Sequence, residues 1–174
     1  MTVPAHLQAL TALIRAKVDF MLIGALALDH FALETAAVYA TLDCDILLRP
    51  TLPNVRKAYR TLLRQKYALS VGDEPLIGPD ELVLRRILEY KITARAERAD
   101  SLPIDMLVEA KGFVFQEWWT DRTHFKVGRI RVPCASLEHV LESKRQAGRD
   151  KDKKLLALYE TAYKPLLKRR LKPR

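Results

Sequence analysis

The chain is poor in the residues that build disulfide scaffolds, collagen-like chains and membrane spans. It has two cysteines without a CxxC spacing, six glycines and nine prolines among 174 residues. This cysteine usage excludes a disulfide framework and a zinc knuckle. The low glycine and proline content, together with 49% hydrophobic residues, excludes a disordered or collagen-like chain. The longest uncharged run near the N-terminus, residues 20–28, is about half of a membrane span and lacks a signal-peptide cleavage pattern. We therefore expect a soluble, cytoplasmic protein that does not enter a membrane.

Several common active-site motifs are also missing. The four histidines have no ligand-like spacing, so a zinc site is not expected. No serine lies in a Gly-x-Ser-x-Gly elbow, and neither a Walker A motif nor a dinucleotide-binding fingerprint occurs. These absences exclude the usual sequence signals of serine hydrolases, P-loop NTPases and dinucleotide-binding enzymes.

Acidic residues are absent from the end of the chain, where the basic charge concentrates. The net charge is +9, and the last eleven residues hold six basic residues and no acid. Without them the chain has 24 basic against 21 acidic residues. A basic tail is typical of a nucleic-acid-binding arm, and a solvated, solubilising tail is the alternative.

The first unit of the chain is predicted as helix, strand, glycine turn and helix. Apolar residues recur at helical spacing over residues 4–16. The apolar run over residues 20–23 stops at Gly24 and predicts a buried strand, and the Ala/Leu-rich stretch 25–33 favours a helix.

The middle of the chain alternates between helical and extended patterns. Helices are predicted over residues 53–66, 81–89 and 113–120, and a loop over residues 72–80. Extended segments are predicted at residues 43–48, 91–96, 102–108 and 124–134, the second and third as a hairpin across 97–101 and the last as a strand or hairpin around Gly128.

The C-terminal part is predicted to be helical. Ser136 is a typical N-cap for a helix that Gly148 interrupts, and a helical pattern resumes over residues 150–163. The fold class is therefore α/β (α+β) with a C-terminal helical segment. We expect an α/β core over residues 1–135 and C-terminal helices with a basic tail over residues 136–174, packed as one compact unit.

The main candidate for chemistry is the pair Asp43-x-Asp45. On a strand, residues two apart share a face, so both carboxylates project together while Cys44 and Ile46 point to the core. Paired carboxylates of this kind can share divalent cations. The motif alone is weak, because a chain with eleven aspartates contains about one such pair by chance.

Two further features of the sequence support a functional interpretation of the Asp-x-Asp pair. Nineteen residues upstream, the strand that ends at Gly24 opens into a helix, an arrangement that lets backbone N–H groups approach phosphate. Asp105 lies within an apolar strand, where a carboxylate is unfavourable unless it pairs or binds a cation.

In this order, the motifs resemble the polymerase-β-like nucleotidyltransferase superfamily. The resemblance is carried by Leu-Ile-Gly-Ala at 22–25, Thr-Leu-Asp-Cys-Asp-Ile-Leu-Leu at 41–48 and Pro-Ile-Asp-Met-Leu at 103–107. Residues 141–152, with Lys144, Arg149, Lys151 and Asp152, resemble the C-terminal helical signature of the small bacterial branch, the minimal nucleotidyltransferases and abortive-infection toxin-type enzymes. The resemblance covers about residues 18–160.

The resemblance implies a mixed sheet flanked by helices, Mg²⁺ or Mn²⁺ as cofactor and a nucleoside triphosphate as substrate. It implies that Asp43, Asp45 and Asp105 hold the metal, and that Asp105 also helps to activate an acceptor hydroxyl that attacks the α-phosphate. The remaining residues implied to bind the nucleotide are Gly24 and Ala25 at the turn and Lys144, Arg149 and Asp152 in the C-terminal helices.

Three departures from the family pattern leave a second interpretation open. Ala25 stands where the family usually has Gly or Ser, the spacer from Gly24 to Asp43 is longer than usual, and residues 39–41 lack the Arg that often precedes the Asp-x-Asp. The alternative is a catalytically weak nucleotide- or RNA-binding module on the same fold. The three acids favour the enzyme, because a pure binder does not need three convergent carboxylates.

The expected macromolecular partner is RNA, with tRNA the most plausible. Besides the basic tail, Arg56, Arg60 and Arg64 line one face of a predicted helix, and no acid occurs between Ile46 and Gly72. This face predicts a track for a phosphate backbone, and a solvated helix face is the alternative. A protein side chain or a small molecule remains open as acceptor, and the toxin-type resemblance implies an antitoxin protein as a further partner.

Overall fold

The computed structural model describes residues 3–32, 42–78, 80–110, 113–127 and 129–164, which form helices around one sheet. The helices are α1 (Ala5–Arg15), α2 (Gly24–Ala32), α3 (Leu52–Arg64), α4 (Glu81–Glu89), α5 (Phe115–Thr120), α6 (Leu137–Ala147) and α7 (Asp150–Leu158), with a π-helical turn at Tyr159–Tyr163. The strands are β1 (Phe20–Leu22), β2 (Cys44–Leu48), β3 (Ala68–Val71), β4 (Glu74–Pro75), β5 (Ala94–Glu97), β6 (Ile104–Leu107), β7 (Thr123–Val127) and β8 (Ile130–Cys134).

The eight described strands form one mixed sheet in the order β4-β3-β5-β6-β2-β1-β8-β7. β2 pairs with β6 and β1 with β8 in parallel, whereas the other neighbouring strands are antiparallel. Helices pack against several strands, α1 on β8, α2 on β2 and α3 on β3. The predicted α/β (α+β) class with a mixed sheet, flanking helices and a C-terminal helical segment is confirmed.

Most predicted elements are found within two or three residues of their expected ends. The hairpin across residues 97–101 is confirmed by the antiparallel pairing of β5 with β6, and the segment 124–134 is a hairpin of β7 and β8. Gly128, expected at the turn of that second hairpin, lies outside the described residues.

Two strands at one edge of the sheet were not predicted. β3 follows α3 after a short turn, and the predicted loop over residues 72–80 contains β4, so the loop prediction is wrong at Glu74 and Pro75. β3 is four residues long and pairs with β5, and β4 consists of two residues. Elements this short carry no periodic signal of their own and exist because the neighbouring strand supplies hydrogen-bond partners.

The core is a single cluster of buried apolar side chains to which every described α-helix contributes. Leu10 of α1, Phe20 of β1 and Leu62 of α3 are fully buried, and Val140 of α6 and Leu155 of α7 belong to the same cluster. Among the described helices, none combines the length and the apolar character that a membrane crossing requires.

Both ends of α6 have the caps that the sequence predicted. Ser136 Oγ accepts a hydrogen bond from the N–H of His139 at 3.3 Å, which caps α6. Gly148 ends α6 in the left-handed conformation at φ 62°, a conformation that glycine adopts without steric penalty. This break between α6 and α7 brings Lys144, in the last turn of α6, beside Asp152, in the first turn of α7.

Candidate metal and nucleotide site

Asp45 and Asp105 lie side by side in the middle of the sheet. They are register partners in the parallel pairing of β2 with β6. Register partners project from the same face of a sheet, and their neighbours along each strand project from the other. Cys44 and Ile46 are fully buried, as predicted, whereas both carboxylates are only half-buried. The strand alternation therefore exposes two carboxylates on one face and keeps the apolar residues on the other.

Asp43, just before β2, completes a cluster of three carboxylates. One oxygen from each of Asp43, Asp45 and Asp105 lies within 4.8 Å of the other two. Carboxylate oxygens are the ligands that Mg²⁺ and Mn²⁺ prefer, and negative charges this close repel one another unless a cation lies between them. The residues present therefore fit a divalent cation.

The pKa values of two of these carboxyls reflect their surroundings. Burial, and then the negative charge of Asp43, raise the pKa of Asp45 to about 6, although the charge of Lys144 opposes the rise. Burial also raises the pKa of Asp105, against the opposing charge of Arg95. Both carboxyls thus hold protons more tightly than ordinary aspartates, as expected of carboxylates that are partly removed from water.

Gly24 gives Asp45 the room that it occupies. Gly24 is buried with φ at +73°, and an added Cβ atom would lie only 2.0 Å from Oδ2 of Asp45. The backbone N–H of Ile23 donates to the carbonyl of Asp45 at 2.9 Å, which holds the two segments together. The glycine is therefore required both by its backbone conformation and by the close approach of the carboxylate.

Arg95 is a neighbour of the acidic cluster that the sequence did not indicate. It lies opposite Asp105 in the antiparallel pairing of β5 with β6, and its Nη1 is 2.9 Å from Oδ1 and 3.0 Å from Oδ2 of Asp105. Its Nε also bonds Glu97 at 2.8 Å. Arg95 therefore neutralises part of the charge of Asp105 and would compete with a metal ion for the same oxygens.

A second group of charges surrounds the almost fully buried Asp152, whose residue is only 1% exposed. Lys144 Nζ lies 3.2 Å from its Oδ1, and Arg149 Nε lies 2.6 Å from its Oδ2. Burial raises the pKa of the Asp152 carboxyl, but the hydrogen bond from Arg149 and the charge of Lys144 outweigh burial and leave the pKa below its ordinary value. Asp152 is therefore ionised and holds both cations in place.

The acidic cluster and these cations line one cavity of about 290 Å³. Its lining residues are Ala25, Leu42, Asp43, Asp45, Asp105, Lys144, Arg149, Lys151, Asp152 and Leu155. Four carboxylates and three cations thus line one cavity. Such a cavity can hold a divalent cation together with a polyanionic group such as a triphosphate.

The structure brings together nearly all of the site residues predicted from the sequence. Every one of them except Gly24 lines this cavity, and Gly24 lies directly against Asp45. Lys151 and Arg95 are additional. The sequence contained a signal for Lys151 as a site residue, since Lys151 lies within the C-terminal helical motif. It contained no signal for Arg95, because the pairing of Arg95 with Asp105 depends on the register of two strands.

The basic face of α3 is only partly free. Arg56, Arg60 and Arg64 line one cavity, so the predicted common face is confirmed, but Arg56 forms an ion pair with Glu81 at 2.8 Å. Of the predicted basic tail, Lys164 bonds Glu160 at 2.6 Å, and residues 165–174 lie outside the described part of the chain.

No family model matches the chain, and no curated protein matches it at a significant level of similarity. The resemblance to the nucleotidyltransferase superfamily therefore rests on the short motifs alone.

Proposed function

We propose that the protein is a metal-dependent nucleotidyltransferase that transfers a nucleotide from a nucleoside triphosphate to an acceptor hydroxyl. One observation carries the proposal. Three carboxylates with oxygens within 4.8 Å of one another line the same cavity as Lys144, Arg149 and Lys151. Nucleotidyl transfer needs this combination, because the reacting triphosphate is a polyanion that must be neutralised from more than one side.

Asp43, Asp45 and Asp105 would hold Mg²⁺ or Mn²⁺. A metal bound there would polarise the α-phosphate and neutralise the charge that develops on the leaving pyrophosphate. Gly24 contributes indirectly, because the absence of its side chain lets the Asp45 carboxylate reach its position in the cluster.

Lys144, Arg149 and Lys151 would bind the phosphate oxygens. Asp152 is too deeply buried to make extensive direct contact with the nucleotide. Its proposed contribution is to orient Lys144 and Arg149 through its two ion pairs. A guanidinium offers paired donors that suit phosphate geometry, and an ammonium supplies a compact charge. Ala25 would offer its backbone N–H at the start of α2, where the helix dipole favours an anion.

In the reaction, the acceptor oxygen forms a bond to the α-phosphorus while the bond from that phosphorus to the bridging oxygen breaks. Pyrophosphate leaves with the electron pair, and the hydroxyl proton passes to a base. Asp105 is the proposed first acceptor of that proton, a role that the motif resemblance implies for it.

A catalytically weak nucleotide- or RNA-binding module is the second candidate. The observation that favours it is the pairing of Asp105 with Arg95, which occupies both oxygens of one metal ligand. If Arg95 does not release Asp105, the cavity can bind a nucleotide through its cations without holding the metal in a reactive arrangement.

The proposed acceptor is a hydroxyl group on RNA, on a protein or on a small molecule, and tRNA is the first to test. A toxin-type role with an antitoxin partner is part of the proposal only through the motif resemblance.

The test is the thermal unfolding of the full chain with each nucleoside triphosphate, with and without Mg²⁺. Wild type is compared with Asp43→Asn and with Asp73→Asn, a matched control in the exposed turn between β3 and β4. We expect a rise in Tm that requires both nucleotide and metal, persists in Asp73→Asn and is lost in Asp43→Asn. A rise that needs no metal and survives in Asp43→Asn supports the binding module. No rise with any triphosphate contradicts the transferase and leaves only an RNA-binding module.

A further inference from the structure

We propose that a groove between α1 and α3, separate from the acidic cavity, binds the phosphate backbone of a nucleic acid. Two neighbouring cavities of about 620 and about 490 Å³ form this basic groove and share Ala16, Thr61 and Arg64. The basic groove has five cationic lining residues, namely Arg15, Arg56, Lys57, Arg60 and Arg64. No carboxylate is among the described residues that line it.

Most of these charges are available to a ligand. Arg15, Arg60 and Arg64 are exposed and form no ion pair with another described residue. Arg56 pairs with Glu81 at 2.8 Å, and Lys57 Nζ donates to the carbonyl of Lys17. Cations of one sign gathered in a concave surface, without carboxylates to balance them, favour a polyanion.

The spacing of the cations along α3 fits the regularly repeated phosphate groups of a nucleic-acid strand. Arg56, Arg60 and Arg64 follow one another at four-residue intervals along α3 and span about 12 Å of helix. The opposite face of α3 is anchored in the core by Val55, Tyr59 and Leu62, so the arginine row is held in place. Measured along the axis of a duplex, about three to four phosphates of one strand lie within this distance.

The lining favours a nucleic acid over a lipid surface. Besides the cations it contains Gln8, Thr11 and Gln65, which can bond phosphate or sugar oxygens, and Val3 and Ile130 are its largest apolar residues. Binding at a membrane surface also requires an apolar face that inserts into the lipid, and a concave polar groove does not provide one.

The basic groove does not depend on the proposed catalytic activity. It shares no lining residue with the acidic cavity. If the proposed transfer to RNA is correct, the groove would hold the acceptor strand away from the reacting end. If the protein is instead a binding module, the groove would still bind nucleic acid.

The test is the fluorescence anisotropy of an end-labelled single-stranded RNA of about 20 nucleotides, longer than the sites of about 4–16 nucleotides seen in single-strand binders. The full chain carries Arg60→Gln with Arg64→Gln. A matched control, Arg145→Gln with Lys153→Gln, removes the same charge from two exposed residues outside the groove. Titrations run from about 50 to about 200 mM salt.

We expect the groove variant to bind about tenfold more weakly than wild type. The slope of log K against log salt should flatten by about 1.4, which is about 0.7 for each lost phosphate contact on a single strand. The control should keep the wild-type slope. Equal binding and equal slopes in the two variants would overturn the proposal and assign nucleic-acid binding to another surface.

Further measurements distinguish the basic groove from the metal site and from a lipid-binding surface. The groove variant should keep any rise in Tm that wild type shows with nucleotide and Mg²⁺, since its two residues do not line the acidic cavity, so a failure of the groove is distinguished from a failure of the metal site. Vesicles rich in anionic lipid should not compete with the RNA, and competition that the groove variant abolishes would reassign the groove to a membrane surface. A DNA strand of the same length should bind with a similar salt slope, because the groove is proposed to contact phosphates.

Discussion

Oδ2 of Asp45 lies 2.0 Å from the point where a Cβ atom on Gly24 would be. No side chain fits at such a distance, so a substitution at Gly24 must displace the carboxylate or the turn. The turn that opens α2 and the carboxylate at the centre of the sheet are thus mutually dependent.

Gly24→Ala should therefore damage both stability and metal binding. A left-handed alanine costs about 1–2 kcal/mol, and displacing the Asp45 carboxylate adds to this. Gly72→Ala is the matched control, because Gly72 also has a positive φ, 55°, but open space around its Cβ position. Urea unfolding should show a larger loss for Gly24→Ala, and only that variant should lose the Mg²⁺-dependent rise in Tm. Equal losses in the two variants would mean that the contact with Asp45 is unimportant.

Arg95→Gln should increase the response to Mg²⁺. The substitution removes the guanidinium that occupies both oxygens of Asp105. A metal ion then binds these oxygens without competition from Arg95. Without metal the variant should be less stable than wild type, because the three carboxylates then repel one another more strongly. Isothermal titration with Mg²⁺ measures the affinity. The control Glu97→Gln removes the other partner of Arg95 and should change the affinity little. A weaker affinity in Arg95→Gln would show that Arg95 supports the metal site rather than competing with it.

Asp152→Asn should destabilise the fold and weaken nucleotide binding. It leaves the largely buried Lys144 without its countercharge, and breaking a buried ion pair costs about 3 kcal/mol. A double-mutant cycle with Lys144→Met should give a coupling energy of about 1–3 kcal/mol by urea unfolding.

The exposed Asp150 on the same helix provides the control for this prediction. Asp150→Asn should stay within about 0.5 kcal/mol of wild type. If the nucleotide-dependent rise in Tm is unchanged in Asp152→Asn, then Asp152 does not orient the cations for the ligand.

The metal-free protein should lose stability between about pH 4 and pH 6. The pKa of Asp45 is raised to about 6 in the folded state, so the folded protein binds more protons than the unfolded chain over this range. Stability is then greatest below the unfolded pKa and falls as the pH rises through the folded one, by about 2–3 kcal/mol for a shift of about two units.

Urea unfolding of wild type and Asp45→Asn across this range measures the effect. The decline should be smaller in Asp45→Asn, which cannot ionise at this position. Protons should also compete with Mg²⁺, so metal affinity should rise as the pH increases through about 6. An identical pH profile in the two proteins would mean that Asp45 does not titrate in this range.

Local sequence patterns were sufficient for the elements that carry the acids. The alternation around Asp43-Cys44-Asp45 predicted a strand with carboxylates on one face and Cys44 in the core, and Cys44 is fully buried. Ser136 and Gly148 predicted where α6 begins and ends. These predictions hold because apolar periodicity and capping depend on residues within a few positions of one another.

The relations between distant segments were decided only by the tertiary structure. Arg95 meets Asp105 because β5 pairs with β6 in one particular register, and a shift by one residue would turn Arg95 to the other face. The sequence alone therefore determined most of the helices and strands, with β3 and β4 as exceptions, and where carboxylates concentrate along the chain. Only the tertiary structure decided which charges oppose the carboxylates and that a glycine is required at position 24. It also decided that Asp152 is buried between two cations. Register and burial depend on packing across the whole molecule, so local patterns do not reveal them.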